Sequence, residues 1–185
     1  ATGPPHRRGA RGGTKPEQVI QGHETTVSLN FPRHAVTTAE GEGARLTDTD
    51  GKAYIDLFAG FGATVLGHCQ PDVVAGVKRQ AERLWHVGNL LHTEPQTHAA
   101  EAIARHGFGG RSFFSHSGAD ANEAAIKLAR LYGREHPGSK GPRFSILSMH
   151  RSFHGRSFAT MQATGDDKVS AGFEPLPEGF RHVPF

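Results

Sequence analysis

The chain has 185 residues, 36% hydrophobic and 21% charged, which suits one soluble domain or slightly more. No apolar run approaches the roughly 20 residues of a membrane helix, so no membrane partner is expected. The single cysteine, Cys69, can build neither an internal disulfide nor a thiolate metal site by itself, and the chain is read as cytoplasmic.

Net charge is +3, and its placement says more than its sum. Of 21 Lys and Arg, four (Arg7, Arg8, Arg11 and Lys15) precede the first acidic residue, Glu17; the other 17 face 18 Asp and Glu. Residues 1–18 are therefore expected to form a disordered basic tail, with too little apolar surface to order itself. Ala1 to Thr14 show no apolar secretory core. R-R-G-A-R-G-G can touch an anionic surface, but it lacks the interleaved aromatics of a base-stacking site, and no nucleic-acid partner is expected.

Residues 19–92 read as an N-terminal segment of small-domain strands, a glycine loop and a helix. The pattern from Gln18 to Thr38 is irregular. A-R-L-T-D-T-D-G-K-A-Y-I-D-L predicts a hairpin, with Leu46, Tyr54, Ile55 and Leu57 as strand formers and Asp50-Gly51 at the turn. F-A-G-F-G-A-T-V-L-G-H is too glycine-rich for a regular element and predicts a loop whose backbone approaches something closely. Pro71 to Trp85 predicts an amphipathic helix, its apolar side formed by Val73, Val74, Val77, Ala81 and Leu84.

Residues 93–185 read as the start of a larger domain. Helices are predicted over 94–106, 117–134 and from Ser157 to Ala163, and strands over 111–116, 143–149 and at the closing H-V-P-F. Strand and helix alternating at these lengths predict an α/β fold with a mainly parallel sheet. So few strands would leave bare edges, so the chain is read as a truncated fragment.

Two motifs can carry chemistry. In S-H-S-G-A-D-A-N-E-A-A-I-K-L-A-R, Ser117 can cap a helix, with Asp120 placed as in a capping box. Gly118 and Ala119 leave their backbone N–H groups open, and a helix N-terminus suits a phosphate. The same residues also describe an ordinary capped helix packed through its alanines. The second motif, F-H-G-R at 153–156, follows a strand, at the sheet edge where α/β proteins collect ligands. Phe153 can stack on a flat ring, and Arg156 can hold a carboxylate through two hydrogen bonds; each can equally be a core ring and a solvated charge. His150 and His154 lie four apart but flank a strand end, with no third ligand in sight, so no metal site is expected.

Together, L-T-D-T-D-G-K-A-Y-I-D-L-F-A-G, L-G-H-C-Q-P, S-G-A-D-A-N-E-A-A-I-K-L-A-R, S-F-H-G-R and G-F-E-P-L-P-E-G-F-R-H-V-P-F resemble the class-III, fold-type-I aminotransferases, and most of all the acetylornithine aminotransferases. The likeness runs from about Asn30 to Phe185. It implies pyridoxal 5′-phosphate (PLP) as cofactor, with Gly118 and Ala119 at its phosphate and Phe153 on its ring. It implies Arg156 at the substrate carboxylate, and the loop from Phe58 to Leu66 near the active site of a homodimer. Asp120 stands where the family usually has glutamate, and Gln70 where histidine is common.

The resemblance also implies a Schiff-base lysine and an aspartate paired with the pyridine nitrogen, both expected well beyond Phe185. Lys127, on the helix after the phosphate turn, and Lys140, in a Gly/Pro loop, do not stand in for that lysine. No catalytic residue is therefore expected within this chain. The implied reaction moves an amino group from N-acetylornithine to 2-oxoglutarate in arginine biosynthesis. Ornithine, 4-aminobutyrate and succinyldiaminopimelate aminotransferases remain open as alternatives, as does a non-catalytic remnant of the fold.

Overall fold

The computed structural model describes residues 14–185, so most of the basic tail lies outside the described residues. These residues form two compact units, the first ending at Leu91 and the second running from His92 to Phe185.

The first unit opens with helix α1 (Pro16–Thr26), which begins inside the stretch expected to stay disordered. Proline in its first turn and Glu17 beside the positive end of the helix dipole both favour this start. The sequence pattern hid α1 because only Val19, Ile20 and His23 mark an inner side; these line a cavity shared with Leu29, Phe31 and Val36. Strand β1 (Thr38–Glu42) was also illegible, since T-A-E-G-E has little strand propensity. It forms by pairing antiparallel with β2 (Arg45–Asp48), which pairs in turn with β3 (Ala53–Ile55). The β2–β3 hairpin and its Asp50-Gly51 turn are the predicted ones, but β3 ends at Ile55 and Leu57 lies beyond it. Asp48 closes its turn, its Oδ1 accepting from the N–H groups of Asp50 and Lys52 and its Oδ2 from the Tyr54 hydroxyl at 2.8 Å.

Helix α2 (Pro71–Ala81) is four residues shorter than predicted. Its cap is Gln70, whose Oε1 accepts from Val73 N–H at 2.7 Å. Glutamine does here what short polar caps usually do. Beyond Ala81 the chain leaves the helix, and Trp85 is 86% exposed.

The second unit begins with α3 (Glu94–His106), which has Pro95 in its first turn and Gly107 at its C-cap, as predicted. Residues 111–116, predicted as a strand, are not one. They run without a ladder partner among the described residues, and Phe113 and Phe114 stay largely exposed. A strand needs a hydrogen-bonded neighbour, which local propensity cannot supply.

Helix α4 (Gly118–Glu135) lies against β4 (Ile146–Met149) and α5 (Phe158–Ala163); a short helix, α6 (Asp167–Ser170), precedes β5 (Phe180–Val183). β4 and β5 pair in parallel, Ile146 opposite Phe180 through Met149 opposite Val183. Arg130 ties α4 to β5, with its guanidinium 5.1 Å from the Phe180 ring centre and Nη2 donating to Glu178 O at 2.6 Å. Among the described residues the buried apolar ones are Ile126, Met161 and Ala163, joined by the buried hydroxyls of Ser148, Thr160 and Thr164. Much apolar surface stays open in both units, including Leu57, Phe61, Leu90 and Phe108. No helix among the described residues is long and apolar enough to cross a membrane.

Candidate active site

The second unit brings both chemistry-bearing motifs to one place. Ser117 caps α4 with extended backbone, and its Oγ accepts from Asp120 N–H at 3.2 Å. Asp120 does not complete the expected capping box. Its carboxylate accepts from the Ser117 hydroxyl instead of the Ser117 N–H. The N–H groups of Gly118 and Ala119 stand in the first turn, where no helical carbonyl lies behind them. A Cβ on Gly118 would meet nothing within 4 Å, and its φ is not positive. Neither backbone strain nor internal packing therefore demands glycine at this position.

The F-H-G-R loop leaves the carboxyl end of β4 and folds back over this helix terminus. Asn122, one turn into α4, donates from Nδ2 to Gly118 O and to His154 O, each at 3.0 Å. Gly155 is buried with φ +129°, and a Cβ there would sit 2.7 Å from Ala119 Cβ. Behind the loop, Thr164 Oγ1 accepts from His154 N–H at 3.0 Å. Ser157, which begins α5, donates to Glu123 Oε1 of α4 at 2.5 Å and meets Thr160 Oγ1 at 2.8 Å. The two segments are more than thirty residues apart in sequence, and they are held by side-chain bonds rather than by a shared sheet.

Phe153 and Arg156 extend outward from this loop. Phe153 is exposed, and the Arg156 guanidinium carbon lies 5.7 Å from its ring centre. All four residues singled out by the sequence (Gly118, Ala119, Phe153 and Arg156) thus belong to one turn-and-loop assembly. Asn122, Gly155 and Glu123 were missed as parts of it. Asn122 and Glu123 lie in plain view inside the helix motif, but only contact shows that they face the loop. Gly155 carried a signal, a glycine between a strand and a helix. Lys127 is exposed on α4 and Lys140 is exposed in the loop before β4. Among the described residues no group of three or more His, Cys, Asp or Glu is placed to hold a metal ion. His150 lies beside the His182 ring, with centroids 5.8 Å apart.

In the first unit, the glycine-rich loop holds four successive residues with positive φ: Ala59, Gly60, Phe61 and Gly62. For alanine and phenylalanine this conformation is strained, and strain persists only where neighbours enforce it. Asp56 supplies part of the enforcement. Its Oδ1 accepts from Phe58 N–H at 2.9 Å and Ala59 N–H at 3.2 Å, and its Oδ2 meets His68 Nε2 at 2.7 Å. His68 in turn exchanges backbone hydrogen bonds with Gly43 in the β1–β2 turn. A Cβ on Gly67 would sit 2.9 Å from Gly43 Cα, so the far end of the loop is pinned as well.

The bond from Phe58 N–H, helped by His68, holds the Asp56 carboxyl below the usual aspartate range. A carboxyl whose pKa is depressed by folding adds stability above its unfolded pKa and loses it as pH falls through the folded value. Asp56→Asn is therefore expected to flatten the fall in stability below the unfolded value of about pH 3.9. Urea unfolding between pH 5 and pH 2.5 checks this. Parallel curves for the two proteins would remove Asp56 from the acid transition.

Residues 28–185 match the family Aminotransferase class-III. The chain belongs to the class-III aminotransferases. The match starts two residues before the sequence likeness does. The acetylornithine aminotransferase of Myxococcus xanthus is 41% identical over 169 residues, covering 91% of this chain and 42% of that protein. That of Caldanaerobacter subterraneus subsp. tengcongensis is 46% identical over 154 residues, 83% of this chain and 39% of its own. The chain therefore spans about two fifths of the length of these relatives.

Solved aminotransferases show the same fold. The ornithine aminotransferase of Toxoplasma gondii superposes with a TM-score of 0.84 at 25% identity, over 93% of this chain and 41% of that one. The taurine:2-oxoglutarate aminotransferase of Bifidobacterium kashiwanohense, solved with PLP and glutamate, does so at 0.81 and 28% identity, over 93% and 38%. The fold is that of the fold-type-I PLP-dependent transferases, and PLP is the cofactor of this class of aminotransferase.

Proposed function

We propose that the full-length aminotransferase moves the ω-amino group of N-acetylornithine to 2-oxoglutarate, in arginine biosynthesis, as a cytoplasmic homodimer. The observation that carries this reading is the α4 terminus clamped to the F-H-G-R loop, in a chain 41–46% identical to two acetylornithine aminotransferases.

The residues present fit the cofactor. The open Gly118 backbone and the positive end of the α4 dipole offer donors for a phosphate. When bound, the cofactor supplies an electron sink for the carbon that carries the amino group. In this reading Gly118 and Ala119 hold its phosphate through backbone N–H groups. Phe153 offers a ring face to its heteroaromatic ring, and Arg156 holds the donor's carboxylate through a two-pronged hydrogen bond. The remainder of the full-length fold and a second subunit cover the open apolar surfaces of both units.

Transfer from N-acetylornithine tests the proposal. Purified full-length protein with added PLP is expected to form glutamate from N-acetylornithine and 2-oxoglutarate, at a higher kcat/KM than from ornithine or 4-aminobutyrate. Ornithine as the better donor would move the protein to the sister activity. Absence of transfer from every amino donor would leave a remnant that keeps the fold without the reaction.

A further inference from the structure

The functional reading gives the α4 turn one ligand, a phosphate, and the F-H-G-R loop another, a carboxylate. The two ligand sites come from separate stretches of chain, and Asn122 bonds the backbone of both. A primary amide carries two N–H donors, so Gly118 O and His154 O can be satisfied together by one nitrogen. At the same contact Gly155 lies against Ala119 too closely to admit a Cβ. The turn and the loop are therefore held to each other at this contact.

We propose that Asn122 is a positioning residue that couples the two ligand sites, so that a phosphate held on the α4 turn and a carboxylate held at Arg156 each strengthen the binding of the other. This rests on the functional reading above. Asn122 holds no ligand in that reading; it acts through the two carbonyls it bridges. The two carbonyls share one donor nitrogen, so a backbone placement favoured by a ligand at one site is passed through Asn122 to the other. Such coupling is reciprocal by linkage.

The test uses full-length protein and glutarate, a dicarboxylate with no keto group to react, titrated by calorimetry with and without saturating PLP. In the wild type, PLP is expected to tighten glutarate binding at least about 5-fold, the low end of typical coupling. Asn122→Ala is expected to keep PLP binding and to bring this factor below about 2-fold, the loss of a neutral hydrogen bond. If Asn122→Ala does not fold, Asn122→Ser is smaller in its disturbance, and coupling below the wild-type value is expected there too. In the steady state, Asn122→Ala is expected to raise KM for a carboxylate-bearing donor more than it lowers kcat. A residue that merely stabilises the fold would lower the melting temperature and leave the coupling factor unchanged. Full coupling in the variants, or none in a wild type that binds PLP, would overturn this inference alone. A wild type that binds no PLP would overturn the functional reading and this inference with it.

Discussion

Gly155→Ala is expected to destabilise the protein by about 2–6 kcal/mol, combining roughly 1–3 for a strained backbone and roughly 1–3 for overpacking. The first part comes from φ of +129°, which side chains rarely allow. The second comes from the new Cβ, which would stand 2.7 Å from both Ala119 Cβ and Thr160 Oγ1 and 2.9 Å from Ala119 Cα. Ala119 and Thr160 cannot retreat easily. Ala119 is anchored in the first turn of α4, and Thr160 is fully buried with its hydroxyl bonded to Ser157. Whole domains are stable by only about 5–15 kcal/mol, so this loss is large. Urea unfolding followed by circular dichroism measures it. Gly118→Val gives the contrast. The side chain enters open space, and stability is expected to stay within about 1 kcal/mol, since valine is no worse than glycine in a helix. Cofactor affinity, read by absorbance as apoenzyme is titrated, is expected to fall instead, because the branched side chain crowds the backbone donors. A Gly155→Ala protein as stable as the wild type would mean that the loop does not press on α4.

Arg156→Lys in the full-length enzyme is expected to cost about 1.5–3 kcal/mol of transition-state stabilisation, the range for charged hydrogen bonds. That is roughly a 10- to 150-fold fall in kcat/KM. Lysine keeps the charge but loses the planar fork that matches a carboxylate. It also loses the guanidinium that lies 5.7 Å from the Phe153 ring centre. Cofactor affinity is expected to change little, because the phosphate donors lie on α4 and not on this side chain. The control is an amino donor without a carboxylate, which gives Arg156 nothing to hold and is expected to be nearly indifferent to the substitution. Steady-state kinetics with both donors and both proteins decides the matter. Equal losses for the two donors would make Arg156 a residue that supports the loop and not one that recognises substrate.

Local elements that carry their own instructions were legible in the chain alone. The β2–β3 turn was written in D-T-D-G, and α3 in its first-turn proline and following glycine. The start of α4 was written in Ser117, and the strand-to-loop passage at Phe153 in an apolar run followed by F-H-G-R. These depend on turn chemistry, caps and periodicity, which act within a few residues of each other. The family was legible for a related reason, since several such segments recur in a fixed order.

Tertiary structure alone decided the rest. It paired T-A-E-G-E with β2 as a strand and, among the described residues, left 111–116 without a ladder partner. It ended α2 at Ala81, short of the predicted Trp85. Above all it set Asn122 across to His154, Glu123 to Ser157 and Gly155 onto Ala119. Each of these joins residues more than thirty positions apart, where no local propensity or spacing can speak. Their energy exists only once α4 and the loop have already met.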